Sequence, residues 1–190
     1  MTVKLCSGNQ IPTFHLKDIH EKEVHLELLN GKKTVLIFFR FVGCIICATS
    51  MLPFTNYLKN KKNVNVIYVY TSGKEKCQTA TNEIPFPEHF HIISDPSKSF
   101  YSLFGVTYRS FFAFIKSMFN FMPKKSKIES ALKSKDIYQD VSKLGSDGDM
   151  LINPADFLID ENGKIVTAHY GKHYADHISL KKLQSFIDEG

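Results

Sequence analysis

Two stretches of the chain are apolar almost without interruption and rich in β-branched and aromatic residues. They are Thr34-Val35-Leu36-Ile37-Phe38-Phe39-Arg40-Phe41 and Val64-Asn65-Val66-Ile67-Tyr68-Val69-Tyr70. Runs of this kind predict strands covered on both faces. Elsewhere the pattern alternates. Thr13-Phe14-His15-Leu16 and Val24-His25-Leu26-Glu27-Leu28 predict a short hairpin. Residues 155–160 and 164–169, flanking Glu161-Asn162-Gly163, predict a second one. A short strand is expected at His91-Ile92-Ile93-Ser94. Helical composition follows Gly43 to about residue 61, recurs from Lys74 to Asn82, and begins again at Asp95-Pro96 before Phe104-Gly105-Val106 closes it. A last helix from about His177 to Asp188 places Ile178, Leu180, Leu183, Phe186 and Ile187 on one stripe.

Read in order, these elements alternate β and α, which predicts an α/β chain with a central mixed sheet, helices on both faces and an N-terminal hairpin. The 190 residues suit a single domain, 1–190, with one interruption at about 107–150. Phe111, Phe112, Phe114, Ile115, Met118, Phe119 and Phe121 crowd the first half of that segment, and lysines fill the second. Gly145, Gly148 and neighbouring aspartates read as a flexible exit from it.

A hydrophobic fraction of 43% against 23% charged is that of a globular chain with a core, and excludes a disordered one. The start has no apolar run of signal-peptide length and nothing is long enough to span a bilayer, so a cytoplasmic protein is expected. Net charge is +5, and residues 109–143 alone hold eight basic residues against three acids. Lysines in one stretch without a recognition motif do not make a nucleic-acid site. The segment reads instead as a lid or wall, with a dimer or partner surface or a membrane-surface helix as the alternatives.

Four cysteines in such a chain do not form a disulfide framework. Cys44 and Cys47 make a C-x-x-C pair; Cys6 and Cys77 stand alone. Cys44 follows a buried strand and Gly43, and opens a helix, whose unpaired N–H groups favour thiolate over thiol. Cys47, one turn on, is placed to attack a mixed disulfide or sulfenic acid on Cys44. Arg40 is one of only two arginines in the chain, and at the strand end it would lower the thiol pKa or bind an oxyanion. The competing readings are two buried small hydrophobes, or half a zinc site for which no second Cys/His pair is evident. Pro154 directly precedes an apolar strand, where it needs no donor.

The run Phe39-Arg40-Phe41-Val42-Gly43-Cys44-Ile45-Ile46-Cys47 resembles the R-x-x-G-C-x-x-C site of peroxiredoxin-like proteins of the AhpC/TSA superfamily, and more narrowly the peroxiredoxin-like 2 group and its bacterial relatives. Residues 11–16, Pro85-Phe86-Pro87 with Ser94-Asp95-Pro96, and Pro154 to Asp160 continuing into Ala168-His169-Tyr170-Gly171 extend the resemblance. It implies a thioredoxin fold, Cys44 as nucleophile, Cys47 as resolving partner and a cis-proline at Pro154. Pro154 and Phe41 would then border the substrate cleft. In peroxiredoxins with P-x-x-x-T-x-x-C, the Pro and Thr shape the peroxide pocket. Here Ile37 and Phe41 stand at those positions.

The function expected is thus a peroxiredoxin-like thiol-disulfide oxidoreductase that reduces peroxide or disulfide substrates. Its partner would be a thioredoxin- or glutathione-type reductant; it would need no cofactor, and a homodimer is allowed. The alternatives are a thioredoxin-like disulfide reductase and a non-catalytic binding module. Cys77 reads as a buried thiol in preference to a resolving one. His169, His173 and His177 are spaced by four, but Gly171 interrupts any shared helix face, so no metal site is expected.

Overall fold

A computed structural model of the chain describes residues 3–29, 31–83, 86–106, 145 and 147–189. The aromatic-basic segment lies outside these, apart from Gly145 and residues 147–150.

A hairpin of β1 (His15–Lys17) and β2 (Glu23–His25) comes first, with His15 opposite His25. The alternation expected to carry the second strand to Leu28 stops at His25, and Leu26–Leu29 forms a one-turn helix, α1. The chain then builds a five-stranded sheet. β3 (Thr34–Phe38) is buried throughout and lies at its centre. It pairs in parallel with β4 (Asn65–Tyr70), which pairs in parallel with β5 (Phe90–Ser94). On its other side β3 pairs antiparallel with β6 (Ala155–Ile159), which pairs antiparallel with β7 (Ile165–Tyr170). Helices α2 (Ile45–Leu58), α3 (Lys74–Glu83) and α4 (Ser99–Leu103) follow β3, β4 and β5 in turn, and α5 (Leu180–Asp188) ends the chain.

Alternation along the strands divides the core in two. Val35, Ile37 and Phe39 face one cluster with Tyr68, Met51, Phe54 and Leu183, under α2 and α5. Leu36 and Phe38 face the other with Val69, Phe100, Phe104 and Phe157, under α4. Asp95 organises α4: its carboxylate accepts from the backbone N–H groups of Ser99, Phe100 and Tyr101 at 2.8–3.2 Å. Tyr101 in turn reaches beneath the sheet, where its hydroxyl lies 2.5 Å from the Phe39 carbonyl and 2.9 Å from that of Val69. There the paired part of β3 ends and the chain leaves for Cys44.

The last helix starts at Leu180, three residues later than the periodicity predicts. Ser179 caps it by accepting from the Lys182 N–H. The Ile178 N–H is instead taken by the Asp156 carboxylate at 2.7 Å, and the same carboxylate lies 2.7 Å from His177 Nδ1. Both side chains are buried, within the β6 edge of the first cluster.

Candidate active site

Cys44 is the N-cap of α2. Its backbone is extended, with φ −82° and ψ 105°, and its sulfur accepts from the Cys47 N–H at 3.2 Å, as a serine or aspartate oxygen would at this position. Arg40 Nη2 donates to the same sulfur at 2.8 Å, and Nη1 donates to the Met150 carbonyl at 3.2 Å. The structure therefore brings Cys44, Cys47 and Arg40 together. All three are buried, Cys44 being only 3% exposed.

Burial opposes ionisation of Cys44, but the Cys47 side chain, the Arg40 charge and the hydrogen bonds of both outweigh it and bring the thiol down to about 6. Burial acts on Cys47 too. There the hydrogen bond and the negative charge of Cys44 add to it, so Cys47 is held well above the ordinary range. The two thiols are thus driven apart, Cys44 towards the thiolate and Cys47 towards the protonated form. Arg40, whose charge burial also opposes, is held above its usual value by the two sulfurs.

The turn before Cys44 is pinned from β4. The Thr71 N–H and hydroxyl both donate to the Arg40 carbonyl at 2.7 Å, and the Val42 N–H donates to Ser72 Oγ at 3.0 Å. A strap at 147–150 then crosses this turn. Asp147 accepts from Ser72 Oγ and the Gly73 N–H, the Asp149 N–H donates to Thr71 Oγ1, and Lys98 Nζ reaches the Asp149 carboxylate at 2.7 Å. The expected flexible exit is therefore hydrogen-bonded over these residues, because two aspartates find donors that are distant in sequence.

Phe41 packs in the same core cluster as both cysteines, and a Cβ at Gly148 would approach its Cβ to 2.7 Å. Pro154 is buried at the start of β6, and its carbonyl accepts from the Gly171 N–H at 2.8 Å. The peptide bond before it is trans, and no described peptide bond is cis. The cis-proline implied by the resemblance is thus corrected; trans is the lower-energy form for most X–Pro bonds. A small apolar pocket of about 20 Å³ opens between α2 and α3, with Val42, Ala48, Met51, Tyr70, Cys77 and Phe86 among its lining residues. Neither Phe41 nor Pro154 lines it.

Cys77 is fully buried in α3, and burial, with Asp147 nearby, pushes its thiol up to about 12. The histidines spaced by four diverge: His169 faces Asp176 at 3.2 Å and His177 faces Asp156. Among the described residues no three metal-ligating side chains are placed to hold an ion. Sequence reasoning missed Tyr174, whose ring lies 3.7 Å from the Arg40 guanidinium carbon, as well as Thr71, Ser72 and the two strap aspartates. Only the excess of Asp and Gly at 145–149 hinted at any of them.

The architecture is shared with solved structures of low sequence identity. The thiol peroxidase from Chromobacterium violaceum superposes with a TM-score of 0.68 at 12% identity, over 100% of this chain and 90% of that one. Peroxidoxin BcpB from Mycobacterium tuberculosis gives 0.65 at 16%, over 96% of each chain. The exposed lipoprotein thioredoxin of Streptococcus pneumoniae gives 0.57 at 18%, over 94% of this chain and all of that one. These likenesses establish a thioredoxin-like fold. No curated protein sequence matches the chain significantly. The family model of AhpC/TSA matches residues 7–168, and so, with the C-x-x-C turn inside that span, the chain belongs to the AhpC/TSA family.

Proposed function

We propose that the protein is a peroxiredoxin-like thiol-disulfide oxidoreductase in which Cys44 is the nucleophile and Cys47 the resolving thiol. The observation that carries this reading is the sulfur of Cys44, held at the N-cap of α2 between Arg40 Nη2 and the Cys47 N–H, a setting that lowers its pKa to about 6. With a peroxide, the thiolate attacks the nearer oxygen, the O–O bond breaks, and the departing alkoxide or hydroxide takes up a proton. Cys44 becomes a sulfenic acid. Loss of the thiolate charge removes the repulsion that adds to burial in keeping Cys47 protonated, and the Cys47 thiol gives up its proton as its sulfur displaces the sulfenic oxygen as water, closing a Cys44–Cys47 disulfide. With a disulfide substrate, the same attack expels one thiolate and the second exchange expels the other. In either case an external dithiol of thioredoxin or glutathione type returns two electrons. Four cysteines and no disulfide framework suit a reducing, cytoplasmic setting for such a cycle.

Reduction of disulfides without appreciable peroxidase activity is the second reading. It is favoured by Phe41 and Ile37 standing where a peroxiredoxin has the Thr and Pro of its peroxide pocket. The rate at which hydrogen peroxide oxidises the reduced protein separates the two. Peroxidase chemistry gives a second-order rate far above that of a free thiol, a Cys44–Cys47 disulfide as product, and loss of the reaction in Cys44→Ser. A rate equal to a free thiol's, with rapid exchange against a model disulfide, moves the function to disulfide reduction.

A further inference from the structure

We propose that Tyr174 is a positioning residue that holds the Arg40 guanidinium against the Cys44 sulfur by covering it with its ring. The proposal rests on Cys44 being the reactive thiol, as above, and extends the site to a turn 130 residues away in the sequence.

Arg40 has no carboxylate partner among the described residues, and its Nε makes no hydrogen bond among them. Its fixed contacts are Nη1 to the Met150 carbonyl, Nη2 to Cys44 Sγ, and the aromatic faces of Tyr174 at 3.7 Å and Phe41 at 5.4 Å. A guanidinium with five donors and so few acceptors is free to swing about its side chain unless a surface restrains it. An aromatic face is such a surface. It attracts the cation from its flank while Nη2 points at the Cys44 sulfur.

The turn that presents Tyr174 is rigidly built. The Gly171 N–H donates to the Pro154 carbonyl at 2.8 Å, and Asn153 Nδ2 donates back to the Gly171 carbonyl at 2.9 Å. The Asp176 carboxylate accepts from the Lys172 N–H at 2.7 Å and meets His169 Nε2 at 3.2 Å. A Cβ on Gly171 would come within 2.6 Å of the Asp176 carbonyl and 2.9 Å of Pro154, so the two segments are in backbone contact. Pro154, which the family resemblance puts at the substrate cleft, thus backs the Gly171 end of the turn that carries Tyr174. Among the described residues, the titratable and charged groups around Cys44 and Arg40 are Cys47, Tyr70, Tyr174 and, from the strap, Asp149.

The test is the pH dependence of Cys44 ionisation in the reduced protein, read by thiolate absorbance and by alkylation in a Cys6→Ser background. Tyr174→Phe, which keeps the ring, leaves the midpoint where it is. Tyr174→Leu moves the midpoint to higher pH. Below the midpoint, each pH unit of that movement lowers the thiolate fraction about tenfold. Tyr174→Met serves where the leucine variant fails to fold. In an Arg40→Leu background the same Tyr174 substitution adds no further change. An unchanged midpoint in Tyr174→Leu overturns the proposal and leaves the reading of Cys44 intact, and an additive effect in the Arg40→Leu background overturns it as well. An ordinary thiol midpoint in the unsubstituted protein overturns both.

Discussion

Gly43 and Gly145 meet backbone to backbone. A Cβ placed on Gly43 would lie 2.1 Å from the Gly145 carbonyl oxygen, closer than any side chain allows. The turn that delivers Cys44 and the chain entering the strap therefore fit together only because Gly43 has no side chain.

Gly43→Ala is expected to destabilise the protein by about 1–3 kcal/mol, the usual cost of forcing a methyl group into a packed site. The strap, being at the surface, yields before the turn between β3 and α2. Labelling of Cys44 by a bulky maleimide should therefore accelerate in this variant even where stability falls. Slower labelling would mean that the turn moves instead.

The ionisation of Cys44 also predicts a pH-dependent stability. A thiol whose folded pKa is lowered from 9.0 to about 6 stabilises the fold fully above its unfolded value and loses that contribution as pH falls through 6. The reduced protein should become more stable between about pH 6 and pH 9, by on the order of 4 kcal/mol. Above that window the sign reverses, because Cys47 and Cys77 are both raised and ionise more easily when unfolded. Urea midpoints measured across this range on reduced protein check it, and Cys44→Ser should flatten the rise.

Arg40 should set the redox poise of the pair. At pH 7 a thiol at about 6 rather than 9 stabilises the dithiol form by about 1.4 kcal/mol, which for a two-electron couple is about 30 mV. Arg40→Leu is expected to make the Cys44–Cys47 couple more reducing by up to about that amount. Equilibration against a glutathione buffer measures it, and an unchanged potential would detach Arg40 from the thiolate.

The buried Asp156 carboxylate has two partners, His177 Nδ1 and the Ile178 N–H. Asp156→Ala should cost about 3 kcal/mol or more, since it strands the Ile178 N–H and one nitrogen of His177 in the core. Asp156→Asn retains one acceptor and should cost about half as much. The Cys44 ionisation midpoint is expected to be the same in both variants where they fold, which separates this pair from the thiol site.

The fold was legible wherever a local pattern reported burial. The runs around Leu36 and Ile67 and the hairpin across Asn162-Gly163 announced the sheet, because a strand buried on both faces needs apolar residues in sequence. The proximity of Cys44, Cys47 and Arg40 was legible for a similar reason: strand, glycine and helix start lie within eight residues. Tyr174 and the strap aspartates were not. Their partners are set by tertiary packing, and an aromatic or an aspartate in a loop has no periodicity to betray it. The late start of α5 belongs with them, since Ile178 fits the helical stripe but gives its N–H to a carboxylate on β6. The trans bond at Pro154 shows the converse error, a family expectation carried to a position whose backbone lies in the ordinary state.

Cys44 combines a lowered thiol pKa with burial that leaves it 3% exposed, and Arg40 links its sulfur to the Met150 carbonyl of the strap and to the Tyr174 ring. A thiol exposed at the surface meets oxidants and disulfides in order of their reactivity. One that is already charged but walled in meets them in order of their size. For the function proposed above, the strap would favour small oxidants, and a protein disulfide would wait on release of the Asp147 and Asp149 contacts.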